Sequence, residues 1–167
     1  MQHPISKITR TELSIVKDLA FLIWPISYKS IITEGQINYM LNFMYATNRL
    51  EKDFDAGHQF YGYFENERLL GFITFENHHP SQGQMKIHKL YVDTNSSKQG
   101  IGKALVECAK QVANTAKLDE IVLNVNRKNP AISFYQKINF EIDREEVIDI
   151  GEGFIMDDYI MKYTLPC

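Results

Sequence analysis

The amino-acid sequence predicts an α/β fold in one domain spanning residues 1–167, and three observations predict it. Apolar residues recur at helical spacing through the N-terminal part. From Gln59 the period changes to two. A long helical stripe then separates two strand-like runs, so the second run must return across the sheet by a crossover. At 167 residues the chain is the usual size of one domain and buries a core without staples. Hydrophobic residues make up 44% and charged residues 23%, which places it among ordinary globular proteins. No repeat and no low-complexity run interrupts it.

The elements follow in order. Ile5 to Ile8 alternate apolar and polar and predict a first strand. Thr11 is placed to cap a helix whose inward positions are Leu13, Val16, Leu19, Ala20 and Ile23, with Pro25 marking its end. Thr33-Glu34-Gly35-Gln36 reads as a capping box for a second helix with Ile37, Met40, Leu41 and Met44 as its stripe. A short third helix covers Thr47 to about Phe54. Phe60 to Phe64 and Leu69 to Phe75 then form a hairpin about Asn66-Glu67. After the loop His79 to Gly83, Met85 to Val92 is the next strand. These strands are antiparallel by their short connections. A turn from Asp93 to Gln99 leads to a long helix from Gly100 to about Ala116, carrying Ile101, Ala104, Leu105, Cys108, Ala109 and Val112 inward. Glu120 to Val125 is a strand parallel to its predecessor. A short helix from Asn129 to Lys137 precedes a terminal hairpin, Phe140 to Ile150 with Phe154 to Tyr163, about Gly151-Glu152-Gly153.

Bulk properties exclude several classes. No apolar run nears the roughly 20 residues of a membrane span. Residues Met1 to Pro4 lack the charged and apolar regions of a secretory leader, so the expectation is a cytoplasmic protein without membrane association. Cys108 and Cys167 make neither a disulfide framework nor a zinc pattern, and Cys108 reads as a packing residue; no metal is expected. The net charge is −3 and the basic residues are dispersed, which argues against a nucleic-acid partner.

The informative stretch is Lys89 to Ala104. A strand ends, a polar turn follows, and Gly100 and Gly102 open a helix. Glycine lets backbone approach an anion without a Cβ in the way, and free amides of a first helical turn carry roughly half a positive charge. Together these suit a phosphate or pyrophosphate. A Walker loop is excluded because Ser97 stands at its first glycine and Ala104 follows Lys103. A dinucleotide fingerprint fails because Leu105 stands at its third glycine. A plain helix start is the bland account of the same glycines.

Gly100-Ile101-Gly102, the strand end Leu90-Tyr91-Val92 and the following amphipathic helix resemble motif A of the GNAT superfamily of N-acetyltransferases. One departure is that the family's Gln or Arg falls on Ser97, with Gln99 two residues later. Asn129-Pro130-Ala131-Ile132-Ser133-Phe134-Tyr135 through Phe140 resembles motif B, with Asn139 where the family has glycine; both accept left-handed geometry. The order and spacing of the two motifs are those of the family. The resemblance implies a mixed, mostly antiparallel sheet of six to seven strands flanked by about four helices. It also implies acetyl-CoA as co-substrate. By the same resemblance the main chain of Leu90, Tyr91 and Val92 meets the pantetheine, Lys98, Gln99, Gly100, Ile101, Gly102, Lys103 and Ala104 form the diphosphate turn, and Asn129 bonds the pantetheine or caps the next helix.

The implied reaction is direct attack of an amine on the thioester. An alkylamine has a reference pKa of about 10.4, so presenting it neutral at pH 7 costs about 4–5 kcal/mol, which a base or a dry pocket reduces. The leaving thiolate needs a proton, and a phenol remains protonated at neutral pH. Tyr135 matches the motif B tyrosine that serves as this acid; a packed aromatic is its bland alternative. For the base, strand alternation puts Lys86, His88 and Leu90 on one face, and the family's base position falls on His88 or Lys86. His88 titrates in the useful range. Glu76, on the preceding strand, is the other candidate, and a water chain could replace both. The aromatic and Met residues of the first helices, Trp24, Tyr28, Tyr39, Met44 and Tyr45, read as core, although acceptor specificity in the family lies there and in the final hairpin. The segment Ile150 to Met161 resembles the end of small bacterial acetyltransferases, including polyamine-type ones, and offers Asp157 and Asp158 to a cation. The expected acceptor is therefore a small polyamine-like primary amine, with a protein lysine or N-terminus, or a silent CoA-binding regulatory module, as alternatives. Homodimers are common in the family.

Overall fold

The structure of the chain, a computed structural model, describes residues 4–167, so most of the N-terminal stretch without a leader pattern falls outside it. Among the described residues seven strands and the helices follow one another in the order expected. The strands are β1 (Ile5–Lys7), β2 (Gln59–Glu65), β3 (Arg68–Asn77), β4 (Gln84–Val92), β5 (Glu120–Asn126), β6 (Glu141–Gly151) and β7 (Phe154–Thr164). The helices are α1 (Leu13–Ser27), α2 (Glu34–Tyr45), α3 (Thr47–Asp55), α4 (Ile101–Thr115) and α5 (Ala131–Lys137). Among the described residues the α-helices number five, in keeping with the expected mixed, mostly antiparallel sheet flanked by helices. The strand order is β1-β2-β3-β4-β5-β7-β6. Strand β4 pairs parallel with β5, as its crossover through α4 requires, while the β1–β2, β2–β3, β5–β7 and β6–β7 pairs are antiparallel.

Two helix details differ from expectation. The N-terminal cap is Thr9, not Thr11: Thr9 and Glu12 form a capping box around a single 3-10 turn at Arg10–Glu12, with Glu12 accepting from the Thr9 amide at 2.8 Å. Glu12 lies three residues after Thr9, which is the spacing the box needs. Helix α1 also runs through Pro25 to Ser27. Proline there removes only the bond to the Phe21 carbonyl, and Phe21 is exposed, so water can take the donor's place. The second cap behaves as expected, Thr33 accepting from the Gln36 amide at 3.1 Å. In the β2–β3 hairpin both turn residues, Asn66 and Glu67, have positive φ of 49° and 64°, which matches the right-handed twist of the strands.

The chain divides into two compact units. The first comprises Met1–Phe75 and Lys89–Ala109. Its core is aromatic: Trp24 stacks on Tyr28 at 4.3 Å and meets Tyr45 edge-on at 6.0 Å, while Tyr45 meets Phe72 at 6.3 Å. Such pairs contribute about 0.5–1.5 kcal/mol each beyond their buried area. Tyr45 is fully buried and takes the inward place expected of Met44, which is half-buried. Gly71 on β3 admits the first turn of α4: a Cβ there would lie 3.0 Å from Ile101 and 3.1 Å from the Tyr91 carbonyl. The second unit comprises Glu76–His88 and Lys110–Cys167. Met85, Ile121, Leu123, Phe140 and Met161 are its buried apolar centre.

Candidate active site

The turn between β4 and α4 is built by Asp93. Its carboxylate accepts from the Asn95 amide at 3.0 Å and from Arg68 at 2.8 Å, and its own amide donates to the Leu70 carbonyl at 2.7 Å. A single 3-10 turn at Thr94–Ser96 follows. Ser97, Lys98, Gln99 and Gly100 are then exposed. Lys98 and Gly100 both have positive φ, 69° and 78°. Glycine takes that conformation at no cost, whereas lysine is strained there by about 1–2 kcal/mol. The first helical bond of this turn runs from the Ala104 amide to the Gly100 carbonyl at 3.0 Å. By helix geometry the amides of Ile101, Gly102 and Lys103 therefore have no acceptor one turn earlier. Ile101 is anchored inward, Gly102 and Ala104 are half-buried, and Lys103 is exposed. This is a set of donors at a helix start, with the polarity that an anion requires.

On β4 burial alternates: Met85, Ile87 and Lys89 are buried, and Gln84, Lys86, His88 and Leu90 are half-buried. Pairing with β5 covers Gln84 to Ile87, so Leu90, Tyr91 and Val92 lie beyond that register. The Tyr91 phenol is held by the Tyr28 hydroxyl at 2.9 Å, which leaves Tyr91 a packing role through its side chain.

His88 and Glu76, offered by the sequence as alternative bases, are joined. The His88 Nε2 lies 3.0 Å from Glu76 Oε2, and both side chains keep about a quarter of their surface in solvent. His79 Nδ1 stands 3.9 Å from the same carboxylate oxygen. A carboxylate at Nε2 fixes the tautomer with the proton there and the basic lone pair on Nδ1. An imidazole oriented by a carboxylate is a general-base arrangement.

Helix α5 carries Tyr135, which is 8% exposed and clamped edge-on between Phe134 at 5.2 Å and Phe140 at 5.7 Å. Its carbonyl accepts from the amides of Ile138 and Phe140. Asn139 adopts the left-handed conformation expected of it, with φ 71°. The Asn129 side chain accepts from the amide of Ala131, the first residue of α5, at 2.9 Å.

A polar network that the sequence did not reveal lies across β4, β5, β6 and β7. Lys86 donates to the Asn124 side-chain oxygen, and the Asn124 amide donates to Glu146 at 2.7 Å and to Asp158 at 3.3 Å. Burial lowers the Lys86 pKa, opposed by the attraction of Glu146 and Asp158. Burial likewise raises that of Asp158, with Glu146 adding to the rise. Beside it, Lys86, Glu120, Val122, Asp143, Arg144 and Lys162 line a shallow cleft. Of the two aspartates offered to a cation, Asp157 is bound by Arg127 at 2.9 Å and Asp158 is 2% exposed.

A family profile for the acetyltransferase (GNAT) domain matches residues 29–156. A peptidyl-lysine N-acetyltransferase, YjaB, from Salmonella typhimurium is 32% identical over 92 residues, covering 54% of this chain. The match spans about half of that relative, 55% of its length. The PaiA N-acetyltransferase of Thermoplasma acidophilum, solved with coenzyme A, superposes with a TM-score of 0.82 at 24% identity, covering 98% of this chain and 99% of that one. A GCN5-related N-acetyltransferase structure from Rhodopseudomonas palustris gives 0.83 at 13% identity over 99% and 98% of the two chains. These two likenesses speak to the fold.

Proposed function

The chain belongs to the GNAT acetyltransferase family, and from that premise we propose that it is an N-acetyltransferase moving the acetyl group of acetyl-CoA onto a primary amine. The observation that carries the reading is the turn at Gly100. Its exposed backbone, left-handed at Gly100, leads straight into the donor amides of Ile101, Gly102 and Lys103, in the motif that the family uses for a diphosphate. Lys98, Gln99 and Ala104 complete that turn, and the main chain of Leu90, Tyr91 and Val92 receives the pantetheine. Asn129 contributes by holding the start of α5. The chain acts as one catalytic domain over residues 1–167.

In the mechanism the His88 Nδ1, with Glu76 orienting the ring, accepts the proton of the acceptor's ammonium. The freed amine attacks the thioester carbonyl, and the C–S bond breaks as the Tyr135 phenol gives its proton to the departing sulfur. The surplus proton on the new amide nitrogen passes through water to the phenolate, restoring the phenol. General acids and bases of this kind contribute roughly 10²–10⁴-fold. Tyr135→Phe is therefore expected to lower kcat about 10²-fold while acetyl-CoA affinity holds. Unchanged turnover would instead favour a silent CoA-binding module.

The acceptor is a primary alkylamine. The sequence favours a small polyamine-like one, through the acidic segment before Met161. Two findings favour the lysine side chain of a peptide: the ion pair that occupies Asp157, and the peptidyl-lysine activity named for the Salmonella relative. A panel of polyamines and lysine peptides, read by thiol release, separates the two. Calorimetry with acetyl-CoA, ATP and NAD tests the donor, and binding of ATP or NAD in place of acetyl-CoA would end the proposal. Among the described residues no helix is long and apolar enough to cross a membrane. Cytoplasmic residence fits the two free thiols, Cys108 and Cys167, and fractionation checks it.

A further inference from the structure

Helix α5 has seven residues, too few to hold itself together in water, so contacts from other elements must fix the direction of the Tyr135 phenol. The second unit contains an unusual source of such contact. Lys110 on α4 is 8% exposed, and its ammonium donates to the carbonyl of Ile138, the residue that ends α5, at 3.3 Å. The same nitrogen stands 4.0 Å from the centre of the Tyr163 ring on β7. A cation at a helix C-terminus and over a π face is favourable on both counts. From these two points the contacts run to Tyr135. Tyr163 packs on Phe140 at 5.5 Å, Phe140 meets Tyr135 edge-on, and the Ile138 and Phe140 amides both donate to the Tyr135 carbonyl.

We propose that Lys110 is a positioning residue for the acetyl transfer: by tying the end of α5 to Tyr163 it aims the Tyr135 phenol. The inference rests on the reading of Tyr135 as the acid. A methionine at this position would fill nearly the same space yet lose both the donated hydrogen bond and the charge, and small displacements of a reacting group are costly in rate.

The test combines kinetics with an observation of the ring itself. Lys110→Met should lower kcat about tenfold and leave the acetyl-CoA KM within about twofold. Lys110→Arg, which keeps the cation and a donor, should recover most of the loss. In a Tyr135→Phe background Lys110→Met should have little further effect. In carbon-13 tyrosine spectra, ring flips of Tyr135 should quicken in Lys110→Met. Should that variant fail to fold, Tyr163→Leu, which removes the π face and keeps the ammonium, is expected to act in the same direction. Unaltered ring flips, or a Lys110→Met loss that multiplies in full with that of Tyr135→Phe, would overturn the proposal. Full activity of Tyr135→Phe alone would instead defeat the acid assignment, and the ring flips would then decide whether Lys110 positions that residue.

Discussion

Lys86 and Lys89 stand three residues apart on β4, yet the molecule treats them differently. Lys89 is 5% exposed, lies 3.4 Å from Asp53 and 5.4 Å from the centre of the Tyr45 ring, and shares Asp53 with Arg49. Lys86 is half-buried, shares Asn124 with Glu146 and Asp158, and borders a cleft open to solvent. Burial lowers the pKa of both. Desolvation alone therefore does not tell a structural lysine from one at a working surface. What differs is the number of partners and the access of water. A single carboxylate in a closed core locks Lys89, whereas several polar partners beside a cleft leave Lys86 able to exchange among them.

The largest effect expected of this contrast is at Asp53. Asp53→Leu leaves Lys89 and Arg49 without their shared carboxylate, and urea unfolding should show a loss of about 3–5 kcal/mol. Adding Lys89→Met should restore most of it, since an apolar pair can replace a buried ion pair. A loss below about 1 kcal/mol would erase the distinction. Lys86→Met should cost less, about 1.5 kcal/mol, because water can replace its bond to Asn124.

Proton linkage sharpens the comparison further. The folded pKa of Lys89 lies below its unfolded value, so between the two the unfolded chain binds more protons and stability rises with pH. That rise should vanish in the Asp53→Leu, Lys89→Met double variant. Asp158 has the opposite sign. Its folded pKa is raised, so stability falls as pH climbs from the ordinary aspartate range through the folded value. Asp158→Asn should lack that fall and be within about 0.5 kcal/mol of the parent at neutral pH, on the stabilising side. A marked destabilisation there would mean that the charge of Asp158 is needed to hold Lys86.

Local chemistry made most of the fold legible. The strands announced themselves by alternation, Asn139 by its tolerance of positive φ, and the α4 start by its glycines. The errors are local as well: two threonines compete to cap the first helix, and only the position of Glu12 decides for Thr9. Tyr45 was read as core, but its place on the inward stripe was given to Met44, because periodicity does not rank neighbours on one turn. The site was less legible. His88 and Glu76 were separate candidates because only the fold brings strand β3's end against β4. Asn124, Glu146 and Asp158 could not be assembled from the sequence at all, since β7 inserts between β5 and β6. Gly71 and Lys110 act at contacts between elements distant in sequence, where no periodic signal exists.

Strand β6 stands last in the strand order and is eleven residues long, and in many proteins an edge strand of that length invites another chain to add itself as a further strand. Here the row carries Glu141, Asp143, Arg144, Glu145, Glu146 and Asp149. An incoming copy would bring the same mostly negative row against it. Mutual repulsion thus discourages fibrillar stacking, and neutralising those acids should turn a well-behaved solution into one that clouds on standing.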